Sequence, residues 1–541
     1  MKFARAMLLA VLVFALGVTP VLAQGDGPFT ASADVAVVDT EAGQLQGSVR
    51  NGVYTYLGIP YATAERFMMP EPVEPWEGVR GAMTYGEICP VPEMNEVAND
   101  ELFNPHRYWP ESENCQFLNV WTPAVQDDGA RPVMVWFHGG GWTNGSPVEQ
   151  EAYDGANLAA KGDVVVVSVA HRLNILGYLD LSAYGDEYAS SGLVGVADMV
   201  AALEWVQANI AEFGGDPENV TIFGQSGGGA KVISLLSVPA AEGLMDKAIV
   251  QSGYFESGPD GVFGTPEWSQ RVGELTVENL GLTADTVADI ADVSYAELLE
   301  AGAAALTQVS DEGLGSGSWG PAVDGNYLPV NTSSPEFLER NADIPVMVGS
   351  VLNEFTTVIS IDPVELQADN FHDWTEEYAN EKLTERFGED GAAVGEAFVE
   401  AYPNKGYADA YFVDTWGRPG VVKFADLMSG REDAPVYAYT FTYYSPVMDG
   451  VGMAWHCAEI PYAFDNVERI PQATGGDDAA KAMANAVSSA WINFARYGDP
   501  NNPYLPEWPA YTTENGATMI LDSVSYVGMH HDAELLSLIV P

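Results

Sequence analysis

Ser226 stands in the pentapeptide Gly224-Gln225-Ser226-Gly227-Gly228, directly after the apolar run Val220–Phe223. This is the G-x-S-x-G pattern. It fits a serine set on an abrupt strand-to-helix turn, where a strained backbone demands neighbours with almost no side chain. Such a turn presents the hydroxyl at the carboxyl end of a sheet. The following helix points its first amides at charge developing nearby. The chemistry within reach is attack on a carbonyl carbon. The rival reading is a phosphate-cradling loop or a plain turn. It is disfavoured because the Gly-Lys-Ser/Thr ending of a P-loop is absent.

A serine hydroxyl needs a base to become a nucleophile. The chain has seven histidines, and in strand-turn-helix hydrolases the order is serine, acid, histidine. His456, in "GMAWHCAEIPYAF", follows the last long strand by a loop and is the preferred base. Of the other late histidines, His372 lies in an acidic helical stretch, and His530 and His531 lie near the C-terminus. The acid belongs just past a strand between Ser226 and His456. Glu354 in "VGSVLNEF" fits, with Asp324 in "PAVDGNYLP" as the rival. Asp324 precedes a glycine, which is ordinary turn chemistry. Acyl transfer also needs donors for an oxyanion. "HGGGW", His138–Trp142, follows an apolar strand, so Gly140 and Gly141, with the amide of Gly227, are the expected donors. Cys457, beside His456, is a competing thiol nucleophile, but it has no glycine elbow around it.

The elements that must hold these residues are legible as alternation. Pro132–His138 and Asp163–Arg172 are continuous apolar strands, as expected when both faces of a sheet are covered. Val196, Met199, Val200, Leu203, Val206, Ile210 and Phe213 fall on one face of an amphipathic helix, which the turn residues Gly214–Asn219 close. Val220–Phe223, Lys247–Gly253, Ile344–Ser350 and Val436–Tyr444 read as further strands, and Ala482–Gly498 as a late helix. Strand–helix alternation predicts an α/β fold with a mostly parallel sheet covered by helices. Helical insertions are expected over 254–342, and helical insertions are expected to form the pocket.

Composition bounds the rest. The chain is 541 residues long and 47% hydrophobic, enough for a large core, with no repeats and no linker to divide it. Lys2 and Arg5 precede an apolar run to Val18 and a small-residue site at Ala23. This predicts a signal peptide over 1–23, a single domain over 24–541, and a secreted protein, extracellular or periplasmic. The apolar run is too short to span a bilayer comfortably, so no stable membrane insertion is expected after removal. Net charge is −55, from 77 acidic and 22 basic residues spread along the chain. That is a solvated acidic shell, which repels nucleic acid. Cys89 and Cys115 lie in a loop-rich region and could close a disulfide, leaving Cys457 over.

Taken together, these segments resemble the type-B carboxylesterase and cholinesterase-like family of α/β-hydrolases. "LGIPYA", "SENCQFLNVWTP", "HRLNILGYL", "FGGDPENVTIFGQSGGG", "AIVQSG", "GPAVDGNYLP", "LNEF", "WHCAEIPYAF" and "WINFARYGDPNNP" follow in the family's order through nearly the whole mature chain. The resemblance implies an α/β-hydrolase fold and a triad of Ser226, Glu354 and His456. It also implies a Cys89–Cys115 disulfide and no metal or cofactor. The usual elbow of the family is Gly-Glu-Ser-Ala-Gly. Gln225 therefore removes a negative charge and argues against choline-ester specificity, and Gly227 replaces an alanine. Trp142, Gln225, Trp319 and Phe355 are candidate pocket residues. The expected function is hydrolysis of a small-molecule ester by a secreted serine esterase. The alternative is a non-catalytic cholinesterase-like adhesion protein, which the retained triad disfavours.

Overall fold

Alternate residues of the strand Arg131–Phe137 enter two different cores. Val133, Val135 and Phe137 pack into one, and Met134 and Trp136 into the other. Val165, Val167 and Val169 repeat the pattern against Val166. Side chains alternate across a strand, so a strand read as apolar throughout is a strand with both faces covered. In this computed structural model, residues 28–32, 34–92, 97–255, 261–315 and 317–540 are described. The expected leader, 1–23, lies outside them.

Among the described residues, the central sheet has eleven strands. From one edge they run Ser48–Arg50, Val53–Pro60, Phe117–Thr122, Val165–Val169, Arg131–Phe137, Gly215–Gln225, Lys247–Gln251, Val346–Val351, Val436–Phe441, Ala517–Leu521 and Tyr526–Met529. The seven from Val165–Val169 to Ala517–Leu521 are mutually parallel, and the flanking strands pair antiparallel. The parallel strands all point their carboxyl ends the same way. Ser226, the "HGGG" loop, Glu354 and the His456 loop all follow such ends, where open α/β sheets hold their sites.

Two expectations are corrected. The helix Val194–Asn209 is not amphipathic. Besides the expected apolar face, Ala197, Asp198, Ala202, Trp205 and Asn209 are also buried. The longer segment Asp186–Phe213 is apolar enough to cross a membrane, but 67% of its most apolar window is buried inside the protein, as in a core helix. The turn expected over 214–219 is only partly a turn. Gly214 has φ +74° and closes the helical segment, but Gly215 already pairs with Arg131, and the register shifts between Gly215 and Val220. The stretch 254–342 does carry helices, at Pro266–Asn279, Tyr295–Asp311 and Pro335–Arg340, but none of its described residues lines the cavity at Ser226, which mostly loops enclose instead.

Many of the scarce cations hold backbone carbonyls of distant loops. Arg172 donates to the carbonyls of Glu65 and Met68, Arg431 to Asn341 and Ile344, Arg386 to Tyr411 and Val413, and Arg496 to Gly162 and Asp163. Each gives a distant segment further donors for its backbone carbonyls.

Candidate active site

Ser226 sits between the strand Gly215–Gln225 and the helix Gly227–Ser237, with φ 58° and ψ −125°. A residue with a Cβ rarely adopts this conformation, and it persists only when its surroundings enforce it. Close approach to the neighbouring strand explains the glycines. A Cβ on Gly228 would lie 2.0 Å from the Phe137 carbonyl oxygen, and one on Gly224 would lie 2.5 Å from Gly228 backbone. The Ser226 amide donates to the Gln251 carbonyl at 2.8 Å, which pins the turn.

The sheet brings the other two predicted residues to the serine. His456 Nε2 lies 2.7 Å from Ser226 Oγ, and His456 Nδ1 is hydrogen-bonded to Glu354 Oε2. Glu354 follows the strand Val346–Val351, and its Oε1 accepts from the Val351 amide at 3.0 Å. With a carboxylate on Nδ1, the imidazole carries its proton there and turns a free Nε2 lone pair toward the hydroxyl. The rival Asp324 instead accepts from the amides of Asn326, Tyr327 and Leu328 and shapes its own turn. Two further carboxyls lie behind the site. Burial, and then the charge of Glu354, push Glu459 up to about 8 and Asp414 up to about 7. Burial thus favours the uncharged form of both carboxyls behind the site.

The glycine loop lies against the elbow. Gly140 and Gly141 have φ +81° and +61°. A Cβ on Gly227 would fall 2.4–2.5 Å from the oxygen, Cα and nitrogen of Gly141. The two backbones therefore touch beside Ser226, an arrangement that can direct several N–H groups at one point.

The four candidate pocket residues separate. Phe355 lines the cavity at Ser226, its ring 4.2 Å from that of His456. Gln225 borders the cavity, but its side chain is committed: Nε2 donates to the His456 carbonyl, and Oε1 accepts from Cys457 Sγ at 3.7 Å. Trp142 and Trp319 are not among the lining residues. Trp142 packs edge-on against Tyr178, and Trp319 is buried beside Gly302 and Ile175. Cys457 also borders the cavity, but burial pushes its thiol well up, which disfavours the thiolate that a cysteine nucleophile needs. Cys89 and Cys115 are disulfide-bonded, and Cys457 is free.

The cavity has a volume of about 280 Å³. Sequence reasoning missed most of its outer wall, which includes Asp100, Tyr108, Trp109 and Glu149. Asp100 lies on the one-turn 3-10 helix Asn99–Leu102 and the others on irregular segments, none with a periodic signal. It also missed Lys231, the one charged residue in the helix Gly227–Ser237, and that contrast was the available signal.

The model of the carboxylesterase family matches residues 34–534. The chain belongs to the carboxylesterase family. The enzyme is 34% identical over 496 residues to para-nitrobenzyl esterase of Bacillus subtilis, covering 90% of this chain and 95% of that protein. It is 33% identical to phenmedipham hydrolase of Pseudarthrobacter oxydans, at 90% and 94% coverage. Among solved structures, it superposes with a TM-score of 0.84 on an esterase from Clostridium hathewayi described as hydrolysing aliphatic aromatic polyesters. Identity there is 38%, over 95% of this chain and 99% of that one. The fold is that of the α/β-hydrolases, and the activity is that of a carboxylesterase.

Proposed function

We propose that this carboxylesterase is an exported, single-domain serine hydrolase working through an acyl-enzyme. The observation that carries the reading is the continuous chain Ser226 Oγ, His456 Nε2, His456 Nδ1, Glu354 Oε2. As Oγ adds to the ester carbonyl carbon, its proton passes to His456 Nε2. Glu354 holds the imidazole and stabilises its charged form. The carbonyl electrons collect on oxygen, which the amides of Gly140, Gly141 and Gly227 hold. Collapse breaks the bond to the alcohol oxygen, and His456 returns the proton to that leaving group. Water, deprotonated by His456, then adds to the acyl carbon, and Ser226 leaves reprotonated. Export is supported by the leader pattern over 1–23 and by the disulfide, which suits an oxidising compartment.

The substrate class we propose is a neutral ester bearing an aryl group. Tyr108, Trp109 and Phe355 line the cavity, and aromatic rings pack well against one another. The relatives named for para-nitrobenzyl and aromatic polyester substrates support the same choice. The test is a fluorophosphonate probe with peptide mapping, alongside Ser226→Ala assayed on aryl and alkyl esters of matched acyl length. Labelling at Ser226 alone and loss of turnover in a normally folded variant are expected. Near-normal turnover by Ser226→Ala would refute the reading.

A further inference from the structure

Lys231 is fully buried on the helix that begins at the elbow, five residues after Ser226. Its Nζ donates to the carbonyl of His138 at 2.8 Å and reaches that of Gly139 at 3.4 Å. Both are in the glycine loop. Its bonded partners are thus backbone oxygens, and Glu149 acts on it only through space. Burying an ammonium is unfavourable, and a methionine would fill the same space without that penalty. Burial brings the lysine down to about 7, with Glu149 opposing. The cost calls for something that the charged end does.

The carbonyl of Gly139 and the amide N–H of Gly140 belong to one planar peptide unit. When Nζ is protonated, its positive charge at that oxygen draws electrons through the unit and makes the N–H a stronger donor, since hydrogen bonds in a chain polarise one another. The Gly139 oxygen also lies 2.9 Å from His138 Nδ1. The rear of the loop is therefore held by side-chain nitrogens, while its front faces the serine. Gly140, at φ +81°, has no conformational reason of its own to stay there.

We propose that Lys231 is a positioning residue for ester hydrolysis. It clamps the His138–Gly139 backbone from behind and polarises the peptide whose Gly140 N–H receives the substrate oxyanion. The inference rests on the serine-esterase reading above. It predicts an effect where charge develops on the carbonyl oxygen, not where the neutral ester first binds.

The experiment compares wild type, Lys231→Met and Lys231→Gln. It measures kcat and KM on a para-nitrophenyl ester, inhibition by a trifluoromethyl ketone, thermal unfolding, and fluorophosphonate labelling of Ser226 in the wild type. Lys231→Met should lose about 10- to 100-fold in kcat, less than or comparable to deleting one oxyanion donor outright. Its KM should stay within about threefold. Its affinity for the ketone, which binds as a tetrahedral oxyanion, should fall by a factor similar to kcat. Lys231→Gln keeps a donor without the charge and should fall between the two; it is read in the same way should the methionine variant not fold. A folded variant with near-normal kcat, or with lost kcat but unchanged ketone affinity, overturns the role of Lys231. A wild type that neither turns over esters nor labels at Ser226 overturns the esterase reading itself, and with it this inference.

Discussion

Replacing Gly227 by alanine would restore the residue usual at this position in the family, yet it should damage this enzyme. Gly227 has no positive φ, so alanine is conformationally acceptable and should favour the helix by about 1 kcal/mol. The obstacle is contact. The added Cβ would sit 2.4–2.5 Å from three backbone atoms of Gly141, about 0.9 Å short of the 3.4 Å of an ordinary contact. Backbone cannot rotate aside as a flexible side chain can, so the glycine loop must retreat by roughly that distance. A displacement of about 1 Å in a positioned catalytic group can lower the rate about a hundredfold. Complete loss of one oxyanion donor lowers it about a hundred- to thousandfold. Gly227→Ala should therefore lose about a hundredfold in kcat on a para-nitrophenyl ester, with KM within about threefold. The unfolding midpoint should stay within a few degrees, because the helix gain offsets part of the strain. Steady-state kinetics and calorimetry on the same preparation check both. A kcat within threefold of wild type would show that the loop yields without moving its donors, and the reasoning fails.

Gln225→Glu would set a carboxylate oxygen against the His456 carbonyl that Gln225 Nε2 now donates to. It should lower kcat/KM about tenfold on choline and neutral esters alike; a selective gain on the choline ester would contradict this. Opening the 26-residue disulfide loop with Cys89→Ser and Cys115→Ser should destabilise the protein by about 3 kcal/mol in chemical denaturation, and a change below about 1 kcal/mol would count against it. Burial alone would raise the Asp532 carboxyl, but Arg418, bonded to it through Nε and Nη2, overrides this and holds it at about 2. A lowered folded-state value contributes stability that is present above about pH 4 and lost as pH falls through about 2. Asp532→Asn should therefore cost about 2 kcal/mol or more at pH 7, and the gap from wild type should close between pH 4 and 2; a gap independent of pH would refute the assignment.

Ser226, Glu354 and His456, the triad we propose, were legible as a cluster because each is tied to a pattern with a mechanical cause. Glycine crowding marks a strained turn, and the acid and histidine follow the ends of strands readable as apolar runs. Direction was not legible. Trp142 follows the glycine loop in sequence, yet its ring turns back onto Tyr178. Gln225 precedes Ser226, and its amide serves the His456 loop. A sequence position says which element carries a side chain but not which neighbour it meets. The helix Val194–Asn209 failed differently. Its small and polar residues suggested a solvent face, but Asp198 is paired inside with Arg172, so a charge marked an internal fastening.

The arginine clips on distant carbonyls give ionic strength an uneven grip on the molecule. Seventy-seven acidic side chains against 22 basic ones leave the shell self-repelling, and that repulsion reaches about 30 Å in 10 mM salt but only about 8 Å at 0.15 M. The clips act over hydrogen-bond distances at partly buried carbonyls, where dissolved ions screen little. Added salt thus removes what pushes the chain apart and leaves what ties its loops together. For this protein, dilute buffer is the harsher medium.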